Sequence, residues 1–466
     1  MKRIAIVGGG IAGLSAAFAL DQARLAGVDV KYTLFESSPR LGGVLKTEFI
    51  DECLVEAGAD SFLTEKPWAA DLCKQIGLGD QLIGSNDAFR KTYILRRGKL
   101  VPLPDGLMFM VPTRIRATLF SPLFSFSTKL RMAREWFRRK QCNGTDESVA
   151  SFVRRHYGNE VVEYLADPLL TGVYGGDASQ LGVRAVLPRF ADMEASHGSL
   201  GRGMVAARKK ARGSTPRPLF SSLKNGMQQM VDAVVASLNP GSLLLNAEVL
   251  GIQAQDSGWV VSAGYKTDHF DAVILAIPTH LAGMLMSTAS ASLAKELSSI
   301  PYSSSVTVAL GYGNDVRRAL PPGFGFLVPH REGKRMMAAT FVHNKFPHRV
   351  PEGRALIRCA LGGARDEGMI SLTDEEILLI VRDELKQILG VTAEPSFTRI
   401  YRWSKAMAQY TVGHLDRVKK IEGLLPPGIF LAGNGYRGIG VPDCVRTGKE
   451  AAEAALAACG FSSSAS

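Results

Sequence analysis

Lys2-Arg3-Ile4-Ala5-Ile6-Val7-Gly8-Gly9-Gly10-Ile11-Ala12-Gly13-Leu14 decides the fold. The first six residues read as a short buried strand. A Gly8-x-Gly10-x-x-Gly13 turn follows, and Leu14-Ser15-Ala16-Ala17-Phe18-Ala19-Leu20 continues as an Ala-rich helix. A second strand, Val30–Phe35, ends at Glu36. Each part has a physical role. Gly8 makes the tight turn, Gly10 lets the backbone approach a pyrophosphate, and Gly13 lets the helix pack close to the sheet. The helix N-terminus offers N–H groups and a positive dipole end to phosphates. Glu36 stands where an acid accepts ribose hydroxyls. Strand, turn, helix, strand and acid together predict a nucleotide site in an α/β fold.

Working outward, a chain of 466 residues has room for about three domains. At 46% hydrophobic and 21% charged, its composition is that of a globular protein able to bury a large core. No stretch reaches the ~18 uninterrupted apolar residues of a spanning helix. Residues 1–20 mimic a signal peptide, but the glycine spacing and the following strand explain them better. The six cysteines (Cys53, Cys73, Cys142, Cys359, Cys444, Cys459) contain no C-x-x-C pair, which reads as reduced cytoplasmic thiols. The histidines show no metal spacing, so no metal is expected.

The net charge of +11 is uneven. Arg90, Lys91, Arg96, Arg97, Lys99, Arg114, Arg116, Lys129, Arg131, Arg134, Arg138, Arg139 and Lys140 crowd one segment, opposed there by Asp105 and Glu135. Large apolar residues interleave with them, among them Leu107–Val111, Leu119, Phe120, Phe124 and Phe126. That mixture predicts peripheral contact with an anionic membrane at its inner face, and no nucleic-acid motif accompanies it.

Residues 87–103 read as a hairpin turning at Arg97-Gly98-Lys99. Residues 104–210 read as mostly helical with Pro breaks, and residues 195–217 as a mobile connection or lid. Strand patterns return at Ser242–Leu250, Trp259–Ala263, Ala272–Ala276, Ser305–Leu310, Gly325–Val328, Met336–Thr340, Ala355–Leu361, Phe397–Trp403 and Ile429–Ala432. Asp374–Leu389 is a predicted helix with Thr373 as its N-cap. The chain closes with a glycine loop, Gly433–Gly440, and a helix in which Pro442 suits the first turn. That helix N-terminus can face a developing negative charge.

Gly8–Gly13, Glu36, Arg40-Leu41-Gly42-Gly43, Gly58-Ala59-Asp60-Ser61 and the closing glycine loop resemble the flavin amine oxidase superfamily. Within it, the chain resembles the oxygen-dependent protoporphyrinogen oxidases and bacterial coproporphyrinogen III oxidases. The residues that carry this are Asp167-Pro168-Leu169-Leu170-Thr171-Gly172-Val173-Tyr174-Gly175-Gly176-Asp177, Leu187-Pro188-Arg189, Leu223–Met227, Arg402-Trp403, Gln409-Tyr410, Gly413-His414 and Gly435–Cys444. The resemblance spans essentially the whole chain. It implies a p-hydroxybenzoate-hydroxylase-like, Rossmann-type α/β fold holding FAD, with a sheet-based substrate domain and a helical membrane-facing domain. The expected division is 1–86 with 219–282 and 420–466 for FAD, 87–97 with 283–419 for substrate, and 98–218 for the helical part.

The resemblance further implies that FAD touches Gly8, Gly9, Gly10, Ile11, Ala12, Gly13 and Leu14, with Glu36 on its ribose. It places Arg40, Gly42 and Gly43 along the pyrophosphate and ribityl, and Ala57, Gly58, Ala59 and Asp60 under the cofactor. Val249 is expected at the adenine, Trp403 beside the flavin, and Asn434, Ile439, Gly440 and Val441 at the isoalloxazine end. The implied reaction oxidises a porphyrinogen to the porphyrin in haem biosynthesis, with O2 as acceptor and H2O2 as product. A greasy macrocycle with carboxylate tails needs an apolar slot and cationic rims. Slot candidates are Leu310, Phe326, Leu327, Met337 and Leu361; rim candidates are Lys66, Lys91, Arg96 and Arg97. Where plant and animal members place an arginine, this chain has Thr92. A homodimer and product handover to a ferrochelatase belong to the same implication. Rival readings are another oxidase or desaturase of the superfamily, and a non-catalytic escort-type scaffold.

Overall fold

The computed structural model describes residues 1–112, 115–140, 145–210, 217–256 and 258–461. Cys142, Arg114 and residues 211–216 of the expected lid lie outside them. The opening strand β1 (Lys2–Val7) is the middle of a five-stranded parallel sheet. It pairs on one side with β2 (Val30–Phe35). Strands β3 (Thr92–Arg96) and β4 (Lys99–Pro102) form the predicted hairpin, turning at Arg97 with φ 50°. Strand β5 (Leu243–Leu244) extends the first sheet beyond β2, and β6 (Ala272–Leu275) flanks β1 on its other side. The sheet order is β5-β2-β1-β6-β12, where β12 is Ile429–Leu431. The first and last segments of the chain therefore share one sheet. Helix α1 (Ile11–Leu25) leaves β1 directly, as the glycine turn requires.

A second sheet has seven strands. Its long members are β7 (Tyr302–Tyr312), β8 (Gly325–Leu327), β9 (Met336–Phe341), β10 (Ala355–Gly362) and β11 (Phe397–Ala408). Their order is β11-β7-β10-β9-β8-β3-β4, antiparallel except where β8 meets β3. Between the hairpin and β5 come helices α2 (Phe126–Glu135), α3 (Val149–Tyr157), α4 (Asp167–Tyr174), α5 (Pro188–His197) and α6 (Leu200–Lys210). A five-residue π-turn, Val162–Ala166, leads straight into α4. Helix α7 (Asp374–Leu389) has the predicted Thr373 cap, reciprocated by Glu376 in a capping box. Helix α8 (Val441–Ala458) ends the fold with Pro442 in its first turn.

Two expectations fail here. Residues 195–210 are not a loose connection: they complete α5 and form α6. Gly201 and Gly203 read as loop signals in sequence, but they sit where α6 packs against Trp136 and Met193 with no space for a side chain. The predicted strand Ser242–Leu250 is two strands, β5 and a separate run Val249–Gln255, broken at Asn246 with φ 51°.

The seven-stranded sheet has unlike faces. On one, Val306, Val308, Leu310, Phe326, Met336, Ile357, Cys359 and Leu361 pack against Ile377, Val381 and Leu385 of α7 and are sealed from solvent. On the other, Ser305, Leu327, Ala338, Thr340, Arg358 and Ala360 stay partly accessible, although they lie on inner strands. Directly paired residues share a face. Ala360 pairs with Thr307 and Ala338, Ala338 with Leu327, and Arg358 with Ala309 and Thr340. Mainly small side chains, with Leu327 and Arg358 beside them, thus form a partly accessible strip in the middle of the sheet, called the recess below. Above it lies α4, whose Gly172 has Leu327 as its nearest neighbour and whose Val173 is 57% exposed.

Candidate functional site

The glycine turn has the geometry its spacing predicts. Gly8 holds φ +105°, and a Cβ there would stand 2.6 Å from Ala276 O. A Cβ on Gly13 would stand 1.9 Å from Gly8 O, so helix and strand can approach this closely only with glycine. Gly10 is different. It caps α1 without a side chain, and a Cβ there would meet nothing within 4 Å. Open space therefore lies in front of a helix N-terminus whose first amides have no intrahelical partner, a cradle that fits a pyrophosphate. Gly42 closes one wall: its N–H donates to Gly9 O at 2.8 Å. The Arg40 guanidinium donates to Leu41 O at 2.7 Å and to Gly43 O, so it shapes this loop and does not project freely.

Glu36 accepts from Gly9 N at 2.7 Å and from Ser38 N at 2.8 Å. A carboxylate has about four lone-pair sites, which leaves acceptor capacity for ribose hydroxyls. The segment before Val249 runs alongside: Glu36 N donates to Leu244 O, and Ala247 N to Glu36 O, both at 2.9 Å. Val249 itself is buried at the head of the next strand.

The stretch Glu56–Ser61 leaves the short hairpin Thr47–Ile50/Cys53–Glu56 and is pinned by side chains from β10, β11 and the short helical segment that follows β9. Trp403 Nε1 donates to Ala57 O at 3.0 Å. Arg358 Nε donates to Glu56 O at 3.1 Å, and its Nη2 to Gly58 O. Lys345 Nζ lies 2.8 Å from Asp60 Oδ2, and Arg349 Nη2 3.2 Å from Glu56 Oε1. Burial opposes the charged form of Asp60, yet Lys345 and Arg358 hold its carboxyl well below the usual carboxylate range. A stretch expected to pass under a cofactor is thus rigid.

At the far end, β12 delivers the closing glycine loop. Asn434 Nδ2 donates to Ala406 O at 2.9 Å, and Tyr410 OH donates to Asn434 O and accepts from Gly438 N, both at 2.8 Å. Gly440 caps α8, with Asp443 accepting its N–H. Gly448 of α8 lies against Ala12 of α1, so Ile439, Gly440 and Val441 enter on the same side of the sheet as the first glycine turn.

The substrate candidates fare less well. Leu310 and Phe326 are sealed under α7 with Leu361, on the face away from the recess. The error is one of parity: a one-residue shift along a strand exchanges faces. Met337, one residue from Met336, has its sulfur beside Gly363, on the recess side. Lys66 is bound to Asp443 at 2.6 Å rather than presented at a rim. Arg96 is paired with Glu160 at 2.8 Å. Arg97 is exposed at the tip of the edge hairpin, far along the sheet from the inner strands, and Lys91 is exposed where that hairpin begins. Sequence reasoning missed Ala338, Thr340, Arg358 and Ala360. The signal was present: an arginine inside the apolar run Ala355-Leu356-Ile357-Arg358-Cys359-Ala360-Leu361 marks the face that is not core.

Comparison with known proteins agrees with this geometry. Residues 11–456 match the family described as flavin containing amine oxidoreductase. The chain is 33% identical to a coproporphyrinogen III oxidase of Bacillus subtilis (strain 168), with 98% of each protein covered. It is 30% identical to a coproporphyrinogen III oxidase of Staphylococcus aureus, over 98% of this chain and 99% of that one. A crystal structure provisionally named as a protoporphyrinogen oxidase, from Exiguobacterium sp. 255-15, superposes with a TM-score of 0.88 at 30% identity, covering 97% of this chain and 98% of that one. The chain is an oxidoreductase of the flavin-containing amine oxidoreductase family, in the branch whose members are named coproporphyrinogen III oxidase and protoporphyrinogen oxidase, and its cofactor is FAD.

Proposed function

We propose that the protein oxidises a porphyrinogen, coproporphyrinogen III or protoporphyrinogen IX, to the porphyrin in haem biosynthesis. The substrate loses six hydrogens and three O2 become three H2O2. The observation that carries the reading is the recess of small residues in the middle of the seven-stranded sheet, roofed by α4 and ending at the pinned stretch Glu56–Ser61. It has the form a flat macrocycle needs, and the names of the relatives agree with it. FAD, when bound, supplies the two-electron acceptor for each of three cycles. Gly8–Leu14, Glu36, Gly42 and Gly43 would hold its adenosine diphosphate half. Ala57–Asp60, Trp403 and Asn434 with Ile439–Val441 would flank its ring.

The chain's own groups then do the positioning. Trp403 and Arg358 turn the carbonyls of Glu56, Ala57 and Gly58 toward the substrate sheet. Lys345 neutralises Asp60, so no bare carboxylate faces an anionic substrate. Ala338, Thr340 and Ala360 offer a floor of small side chains, and α4, resting on Leu327, closes it on one side. The test is porphyrin fluorescence over time, in air, with each porphyrinogen. A protein-dependent rise with three H2O2 per porphyrin is expected. A yellow protein that gives no rise with either substrate would sink the reading.

The division 1–86 with 219–282 and 420–466, 87–97 with 283–419, and 98–218 is part of the proposal. So is peripheral contact of the helical part with an anionic membrane. No described helix is long and apolar enough to cross one. Phe120, Phe126 and Phe137 are 82%, 77% and 83% exposed, beside exposed Arg131, Arg134, Arg139 and Lys140. Wild type should float with vesicles containing anionic lipid and not with neutral ones, and Phe126→Ser should weaken flotation. Equal recovery with both vesicle types would remove this part.

A further inference from the structure

Five ionisable groups meet behind Glu56–Ser61: two carboxylates and three cations. Asp60 pairs with Lys345 at 2.8 Å, and Glu56 lies 3.2 Å from Arg349. That leaves Arg358. Among the described residues no carboxylate lies within 4.0 Å of its guanidinium. Its Nε and Nη2 are used by two backbone carbonyls, and its Nη1 makes no hydrogen bond among the described residues. Arg358 is half-buried on inner strand β10, on the accessible face, beside Thr340 and one step along that face from Ala360. The Asp60 carboxylate feels the charge of Arg358 but is paired with Lys345, so this half-buried cluster holds one more cation than it holds carboxylates, and burying a charge is costly unless an opposite charge meets it.

Substrate chemistry supplies that charge. Coproporphyrinogen III carries a propionate on each of its four pyrroles, so whichever edge enters the recess first brings a carboxylate inside. Protoporphyrinogen IX has propionates on two adjacent pyrroles and can enter vinyl edge first. We propose that Arg358 receives an inward-pointing carboxylate of the substrate and so admits a porphyrinogen carrying carboxylates on all four rings. The inference rests on the porphyrinogen reading and adds to it a specificity-determining residue. Arg358 also ties Glu56 O and Gly58 O to the sheet, so recognition and cofactor-side rigidity share one side chain.

The experiment compares wild type, Arg358→Gln and Arg358→Lys with both porphyrinogens, and records the flavin absorbance and FAD content of each protein. Arg358→Gln keeps an amide donor near the place of Nε, gives up the contact to Gly58 O and removes the charge. It should raise KM for coproporphyrinogen III at least about tenfold more than KM for protoporphyrinogen IX, the scale of a lost charge-assisted hydrogen bond. Loosening of Glu56–Gly58 acts on both substrates alike, so any change in kcat or in the flavin spectrum should be common to them, and the KM ratio is the readout. Arg358→Lys should recover part of the lost coproporphyrinogen affinity. An equal rise in KM with both substrates would overturn the proposal and leave Arg358 as a prop for the cofactor stretch. If Arg358→Gln does not fold, Arg358→Lys decides: an unchanged KM ratio between the substrates overturns the proposal. Wild type inert toward both substrates is a separate result, and it removes the porphyrinogen reading itself.

Discussion

The sheet and the helical layer face each other across the recess, and they are held by different forces. The sheet is held by hydrocarbon. Val306, Val308 and Leu310 lie against Ile377, Val381 and Leu385 of α7 with no exposed surface. The helical layer has a large apolar core of its own, but its helix ends are tied by charge. Glu135, at the end of α2, accepts from Ser199 Oγ at 2.9 Å and from Leu200 N at 2.6 Å, the start of α6. It also lies 3.2 Å from His156 Nδ1 on α3, whose Nε2 is 3.0 Å from Glu194 on α5. Arg155 joins Glu194 to Glu147. A strand can seal one face and leave the other free for a ligand, because its side chains alternate. A short helix at a layer's edge has no such second face, and fixing its ends takes capping groups and ions.

The largest expected effect tests the sealed face. Leu310→Ala should cost about 2–5 kcal/mol of stability, the usual range for a buried leucine, and should lower the melting temperature. The folded fraction should keep its KM. Ala338→Phe, on the opposite face, should do the reverse. It should leave the melting temperature within a few degrees and lower kcat/KM by at least about tenfold, since a ring in the recess occupies substrate space. If Leu310→Ala changed KM and Ala338→Phe only melted the protein, the assignment of the two faces would be inverted.

What could be read in advance divides along the same line. Gly8, Gly10, Gly13 and Glu36 were legible because each demand is local: a positive φ, a close approach, an acid at a strand end. Thr373–Glu376 was legible for the same reason. Strand positions in the second sheet were also found, but not which way their side chains point. Leu310 and Phe326 are apolar, as a slot for a greasy macrocycle requires, but apolar character alone does not say which face a ligand meets. That depends on where α7 packs, a contact from far along the chain. Gly201 and Gly203 misled in the opposite direction. Glycine marks both flexible loops and tight helix packing, and only Trp136 and Met193, distant in sequence, decide between them.

The smallest expected effect sharpens the contrast between hydrocarbon and charge. Burial works against a charged Glu194, but hydrogen bonds from Arg155 and His156 outweigh it and hold the carboxyl down at about 2. A folded-state value below the unfolded one adds stability above the ordinary carboxylate range, and that stability is lost as pH falls through the native value. The helical layer should therefore loosen between about pH 4.5 and 2, where the sealed face of the sheet has no reason to change. Glu194→Gln should cost about 2 kcal/mol at neutral pH, the scale of hydrogen bonds to a charged group. The difference from wild type should shrink as pH falls toward 2, because protonated Glu194 resembles glutamine. Denaturant melts of both proteins across that pH range measure it. A difference that stays constant down to pH 2 would mean that Glu194 acts through packing, and that the helical layer is held by the same force as the sheet.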